Sequence, residues 1–118
     1  MEKEITINGI VYIPKDSIPI MAIDKKLGKY VIVRTYSAGV HAGYLQKQEG
    51  KEVSLVKSRR IWQWFGAKTL SELAMNGSSE QDKCKFGCPV TIKLTEAIEI
   101  IDCTEKARKS IEEVALWR

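Results

Sequence analysis

Two guanidiniums lead directly into two indoles in the segment Arg59-Arg60-Ile61-Trp62-Gln63-Trp64. A guanidinium offers a planar fork that grips phosphate oxygens in pairs, and an indole offers a broad face on which a base can stack. Together they are the side chains with which a protein holds a nucleotide or a short nucleic acid. In a strand, Arg60, Trp62 and Trp64 share one face and Arg59, Ile61 and Gln63 the other. Two arrangements fit that alternation. Either both indoles fill the core with Arg60 at its rim, or at least one Arg and one ring meet solvent at a binding surface.

A second candidate lies in Arg34-Thr35-Tyr36-Ser37-Ala38-Gly39-Val40-His41-Ala42-Gly43. Small side chains at Ser37 and Ala38, and the freedom of Gly39 to take positive φ, let a backbone turn its N–H groups toward an anion. Tyr36 and His41 bracket this loop and are placed to stack on a base or to hydrogen-bond with it. An ordinary turn between paired strands has the same spacing. The Gly-Lys-Ser/Thr ending of a nucleotide-hydrolysing phosphate loop is missing. A third set, Lys106, Arg108 and Lys109, lies on a helix surface where such charges commonly face water, and Arg108 is its directional phosphate donor.

Catalytic groupings are absent from the pattern. With one histidine, no Gly-x-Ser-x-Gly elbow and no paired carboxylates, no acid, base and nucleophile assemble, so the reading is non-enzymatic and without a cofactor. A zinc site built from Cys84, Cys88, Cys103 and His41 competes with three free thiols. The spacing lacks a second close ligand pair, so free thiols are expected, with no structural metal and no essential disulfide.

The elements that must carry these side chains follow from periodicity. Ile5–Ile7 and Ile10–Ile13 flank Asn8-Gly9, a strong hairpin signal. Pro14 and Pro19 make residues 14–28 a connector, so residues 1–28 read as hairpin plus connector and 29–118 as the main body. Strands are predicted at 30–36, 40–48, 52–57, 59–64, 90–94 and 97–101. Thr69 and Glu72 form a capping box for a helix ending at Asn76-Gly77, and Asp102 or Thr104 caps a last helix reaching about Ala115. Residues 78–88 read as a polar loop. The predicted class is α+β: one small domain, mainly antiparallel sheet, with two short helices.

At 118 residues and 44% hydrophobic content the chain can bury a core, and a net charge of +4 favours anionic partners. No apolar run is long enough for a membrane span, and the charged Met1-Glu2-Lys3-Glu4 start is unlike a signal peptide, so a cytoplasmic protein is expected.

From about residue 29 onward the chain resembles a family of small tailed-phage and prophage proteins. The resemblance is carried by Tyr30–Gly43, by Arg59–Trp64 with Gly66-Ala67, by Thr69–Ala74 and by Leu94–Ile101. Phage proteins of this size and mixed type include the Thoeris and CBASS sponges, which sequester nucleotide signals of bacterial immunity. The resemblance implies an anionic nucleotide ligand, a cyclic ADP-ribose isomer or cyclic oligonucleotide, held in the infected cell by a homo-oligomer. Arg34, Arg59 or Arg60 would grip phosphate, and Trp62 or Tyr36 would stack a base. The alternative from a different class is a small nucleic-acid-binding or virion-associated protein using the same surface.

Overall fold

The computed structural model describes residues 5–7, 10–12 and 19–117. Strands β1 (Ile5–Ile7) and β2 (Ile10–Tyr12) pair antiparallel with Ile7 opposite Ile10, forming their own two-stranded sheet. The Asn8-Gly9 turn lies outside the described residues.

The main sheet contains β3 (Ile23–Asp24), β4 (Gly28–Thr35), β5 (Val40–Glu49), β6 (Glu52–Gln63), β7 (Lys85–Phe86), β8 (Val90–Leu94) and β9 (Ala97–Asp102). Its antiparallel order is β9-β4-β5-β6-β8, with β3 also on the outer side of β4 and β7 also on the outer side of β6. Helices α1 (Leu70–Asn76) and α2 (Glu105–Glu113) complete the α+β domain expected from the sequence. The expected connector is partly sheet, because the Ala22 N–H donates to Cys103 O and its carbonyl accepts from Tyr30 N–H. The expected polar loop at 78–88 holds β7 and a 3-10 turn at Gln81–Lys83.

A short link forces this sheet to roll. Flat, its outer strands β8 and β9 would stand about 19 Å apart at the usual strand spacing. Thr95 and Glu96 alone join Leu94 to Ala97, which allows about 11 Å at most. The edges therefore curl toward each other, and Ala97 N–H donates to Lys51 O to pin the closure. Inside the roll lie Val31, Val33, Val53, Leu55, Leu94 and Ala97. On its outer face Tyr30, Ile32, Ile61 and Phe86 pack with Leu73 of α1 and Ile111 of α2. Strand β4 serves both cores, which explains its unbroken apolar run Tyr30-Val31-Ile32-Val33.

One residue changes which face β6 presents to which core. Lys57 has φ +51, and pairing with both neighbours slips there: Ala42 faces Arg59, while Tyr44 faces Val56. Such a bulge inserts an extra residue and inverts the alternation beyond it. Val53 and Leu55 point into the roll, whereas Arg59 and Ile61, also odd-numbered, point toward the helices. Opposite the bulge Gly43 is obligatory, because a Cβ there would stand 2.8 Å from Ser58 Cα.

Thr104 joins the helices. Its Oγ1 accepts from Ala107 N–H at 3.1 Å, capping α2, while its hydroxyl donates to Met75 O in the last turn of α1 at 2.6 Å. Thr69 caps α1, and Glu72 reaches back to Lys68 N–H. All three cysteines are free thiols; Cys84 and Cys103 are buried and Cys88 is exposed. Burial pushes the Cys103 thiol up to about 12.

Thr104→Val keeps the shape but leaves a buried helix start uncapped and a carbonyl without its donor. The expected loss is about 2 kcal/mol, read as a lower urea midpoint with unchanged slope.

Candidate functional site

Arg59 and Arg60 are neighbours in sequence with opposite surroundings. The Lys57 bulge turns Arg59 under the end of α2, where it is only 3% exposed. Its Nε donates to Gly87 O at 2.7 Å, Nη1 to Ile111 O at 2.9 Å and Val114 O at 2.6 Å, and Nη2 to Phe86 O at 3.3 Å and Ala115 O at 3.4 Å. The guanidinium also lies over the Phe86 ring, 5.6 Å from its centroid. Burial pushes its pKa down, yet a guanidinium keeps its charge in any accessible pH range. That charge meets the negative end of α2. The expectation that Arg59 grips a ligand phosphate is corrected here: its donors are committed to main-chain carbonyls.

Arg60 takes the other face. The pairings Val33 with His41 and His41 with Arg60 place all three on the inner face of the sheet. Beyond the roll that face is open, and Trp62 stands on it, 60% exposed. The Arg60 guanidinium lies 5.6 Å from the Trp62 ring centroid. The chain after α2 returns alongside β7, with Trp117 N–H donating to Phe86 O at 3.0 Å. This brings Trp117, 45% exposed, edge-to-face against Trp62 at 5.7 Å and 64°. Lys85 Nζ lies 5.5 Å from the Trp117 ring centroid. Each of the two touching indoles thus has its own cation over it. Among the described residues neither cation pairs with a carboxylate; Arg34, Arg108, Lys29, Lys47, Lys83 and Lys93 do, while Lys25, Lys26, Lys51, Lys57, Lys68, Lys106 and Lys109 do not. Trp64 lies past the end of β6, packed on the helix-side core with its Nε1–H donating to Ala67 O.

The loop Tyr36–Gly39 contributes an acceptor rather than a nest. Ala38 N–H is taken by Thr35 Oγ1 at 2.8 Å, and the Thr35 hydroxyl donates to Gly39 O at 2.7 Å, with Gly39 at φ +83. Ala38 O accepts from His41 Nε2 at 2.8 Å and from Arg60 Nη1 at 3.1 Å. The loop therefore orients Arg60 from behind. His41 is fully buried beneath it, out of a ligand's reach, and the bond to Ala38 O places its proton on Nε2. Ser37 is exposed, and Tyr36 is exposed with its N–H tied to Glu96 O. No aromatic or cation contact joins Tyr36 to the tryptophan pair among the described residues.

Two other expected phosphate ligands are engaged elsewhere. Arg34 pairs with Glu99 at 3.1 Å. Arg108 is held by Glu105 and Glu112, and α2 sets it on the opposite face of the sheet from Arg60. Sequence spacing missed Lys85 and Trp117, which lie 21 and more positions beyond the Arg-Trp segment. A cleft of about 420 Å³ continues the surface past Trp117, bordered by Gln81, Asp82, Lys83, Lys85 and Glu113. No group of three or more His, Cys, Asp and Glu suited to a metal occurs among the described residues.

These placements separate two adjacent substitutions. Arg59→Met should cost about 3 kcal/mol or more, because buried carbonyls lose their donors, while Arg60→Ala should stay within about 1 kcal/mol. Paired urea titrations read the difference. His41 gives a pH signature. Burial, opposed by the Ala38 bond and reinforced by Arg60, holds its pKa below the ordinary 6.5. The unfolded chain therefore takes up the proton first, so stability is full above 6.5 and falls as pH drops from 6.5 toward the lower folded value. His41→Asn should flatten that slope in urea midpoints compared at pH 7.5 and about 5.5.

Searches of curated proteins and of solved structures returned no match to the chain. Residues 28–111 match the model of a protein family, running from the start of β4 into the last turn of α2 and taking in Arg60, Trp62 and Lys85, though not Trp117. The chain belongs to the family described as "Domain of unknown function (DUF6948)".

Proposed function

We propose that this protein binds a nucleotide without transforming it, using Arg60 and Lys85 for phosphate and Trp62 and Trp117 for bases. One observation carries the reading: Arg60 and Lys85 lie over two exposed indoles that touch each other, and among the described residues neither cation has a carboxylate partner. Holding a cation beside an exposed ring, unneutralised, leaves both available to an anion with an aromatic part. The fold supplies rigidity, since Arg60 sits on a central strand and is braced by Ala38 O.

The physiological role we infer is sequestration of a cyclic nucleotide immune signal in a phage-infected bacterial cytoplasm, as the resemblance to small phage proteins implies. Sequestration works by mass action and needs affinity and abundance rather than turnover. Assembly of copies would enclose a ligand that one open surface only half covers. The open layout of the surface also favours a second reading, in which the ligand is single-stranded nucleic acid.

Arg60→Ala should weaken nucleotide binding about a hundredfold, equivalent to roughly 2–3 kcal/mol, and Arg60→Lys should restore only part because an ammonium lacks the fork. Tryptophan fluorescence titration with cyclic nucleotides reads both variants. Unchanged affinity in Arg60→Ala would remove this surface from the proposal. Repeating the titration across salt separates the two readings, since a polymer ligand loses affinity far more steeply and gains with length.

A further inference from the structure

We infer that the surface takes a ligand with two bases joined through phosphate, rather than a mononucleotide or a one-base cyclic signal. The inference rests on the proposed nucleotide reading and narrows its ligand class. Trp62 and Trp117 meet at 64°, so no flat base can lie parallel to both rings. Each exposed ring therefore stacks its own base, and the two bases splay apart as the rings do.

The charges repeat the same count. Arg60 lies over the Trp62 ring at 5.6 Å and Lys85 over the Trp117 ring at 5.5 Å, with the rings themselves 5.7 Å apart. Each cation lies over a different ring of the pair, and among the described residues neither is paired with a carboxylate. A single phosphate placed against one cation leaves the other without an anion, whereas two phosphates on one ligand neutralise both. The cleft beyond Trp117, at about 420 Å³, lies within the size range of small-molecule sites and gives the second nucleoside somewhere to go. Its Glu113 and Asp82 carboxylates offer acceptors to the amino edge of a base.

The same chemistry comes from a cyclic dinucleotide or from a two-nucleotide stretch of a single strand, and the probes distinguish them. The full chain is titrated with 5′-AMP, pApA and cyclic di-AMP, following tryptophan fluorescence. A second base on its own ring is worth about tenfold to a hundredfold in affinity, so pApA or cyclic di-AMP should bind at least tenfold tighter than 5′-AMP. Trp117→Ala and Lys85→Gln, both at exposed positions, should each bring the two-base ligand down toward the 5′-AMP value. Preference for cyclic di-AMP assigns the compact source, and preference for pApA the open strand. Equal affinity for all three probes overturns the two-base inference and leaves the nucleotide reading standing. Two-base binding that survives both variants also overturns it. Binding of none of the probes overturns both.

Discussion

A buried positive charge, with no buried carboxylate among the described residues, organises this domain. The Arg59 guanidinium enters a region where an ion deprived of water is costly, and it is made tolerable by five carbonyl oxygens and the negative end of a helix. Those carbonyls belong to two separate stretches, Phe86-Gly87 beside β6 and Ile111–Ala115 at the end of α2. One side chain therefore fastens the last helix, the chain that follows it and a short edge strand to the central sheet. A carboxylate would have satisfied the charge at one point. Carbonyls spread over several residues satisfy it only when all of those residues are in place.

Through that attachment the interior and the surface are one arrangement. Trp117 reaches Trp62 because the segment after α2 runs beside Phe86, and it runs there because Arg59 and the Phe86 carbonyl hold it. Arg60 faces the opposite way for the same reason that Arg59 faces inward, since both follow the Lys57 bulge. The neighbouring guanidiniums divide their work: one assembles the platform and the other stands on it. Between them they show why adjacent like residues cannot be assigned a shared role from their type alone.

Much of the fold is legible in the sequence where the signal is local. Thr69 with Glu72, the Asn76-Gly77 stop and the β-branched run at residue 30 each encode their element through contacts within a few positions. The alternation of Arg60 and Trp62 against Arg59 and Ile61 is legible too, but not which set faces water. That choice depends on a bulge at Lys57, a residue with no particular tendency to positive φ, so the expected pair of strands is one long bent strand. The candidate site was half legible for a similar reason. Arg60 and Trp62 announce themselves by spacing, while Lys85 and Trp117 reach them only through tertiary pairing. Arg34 and Arg108 have the right chemistry and are already answered by Glu99 and by Glu105 and Glu112, which no spacing rule discloses.

The roll of the sheet also has a kinetic side. Its interior is closed by β9 lying against β4, which brings Arg34 beside Glu99 across 65 positions of chain. Neither strand can be held there by its sequence neighbours, so the loop entropy is lost before the contacts that reward it are made. Small domains dominated by such distant pairings fold in milliseconds to seconds, far slower than helical bundles of equal size. Until Ala97 docks by the turn of β5 and β6, Val31 and Val33 face solvent on one side of a nearly complete sheet. The two-residue link that gives the domain its curvature thus also makes closure a late event, with the apolar interior exposed for as long as the chain takes to find it.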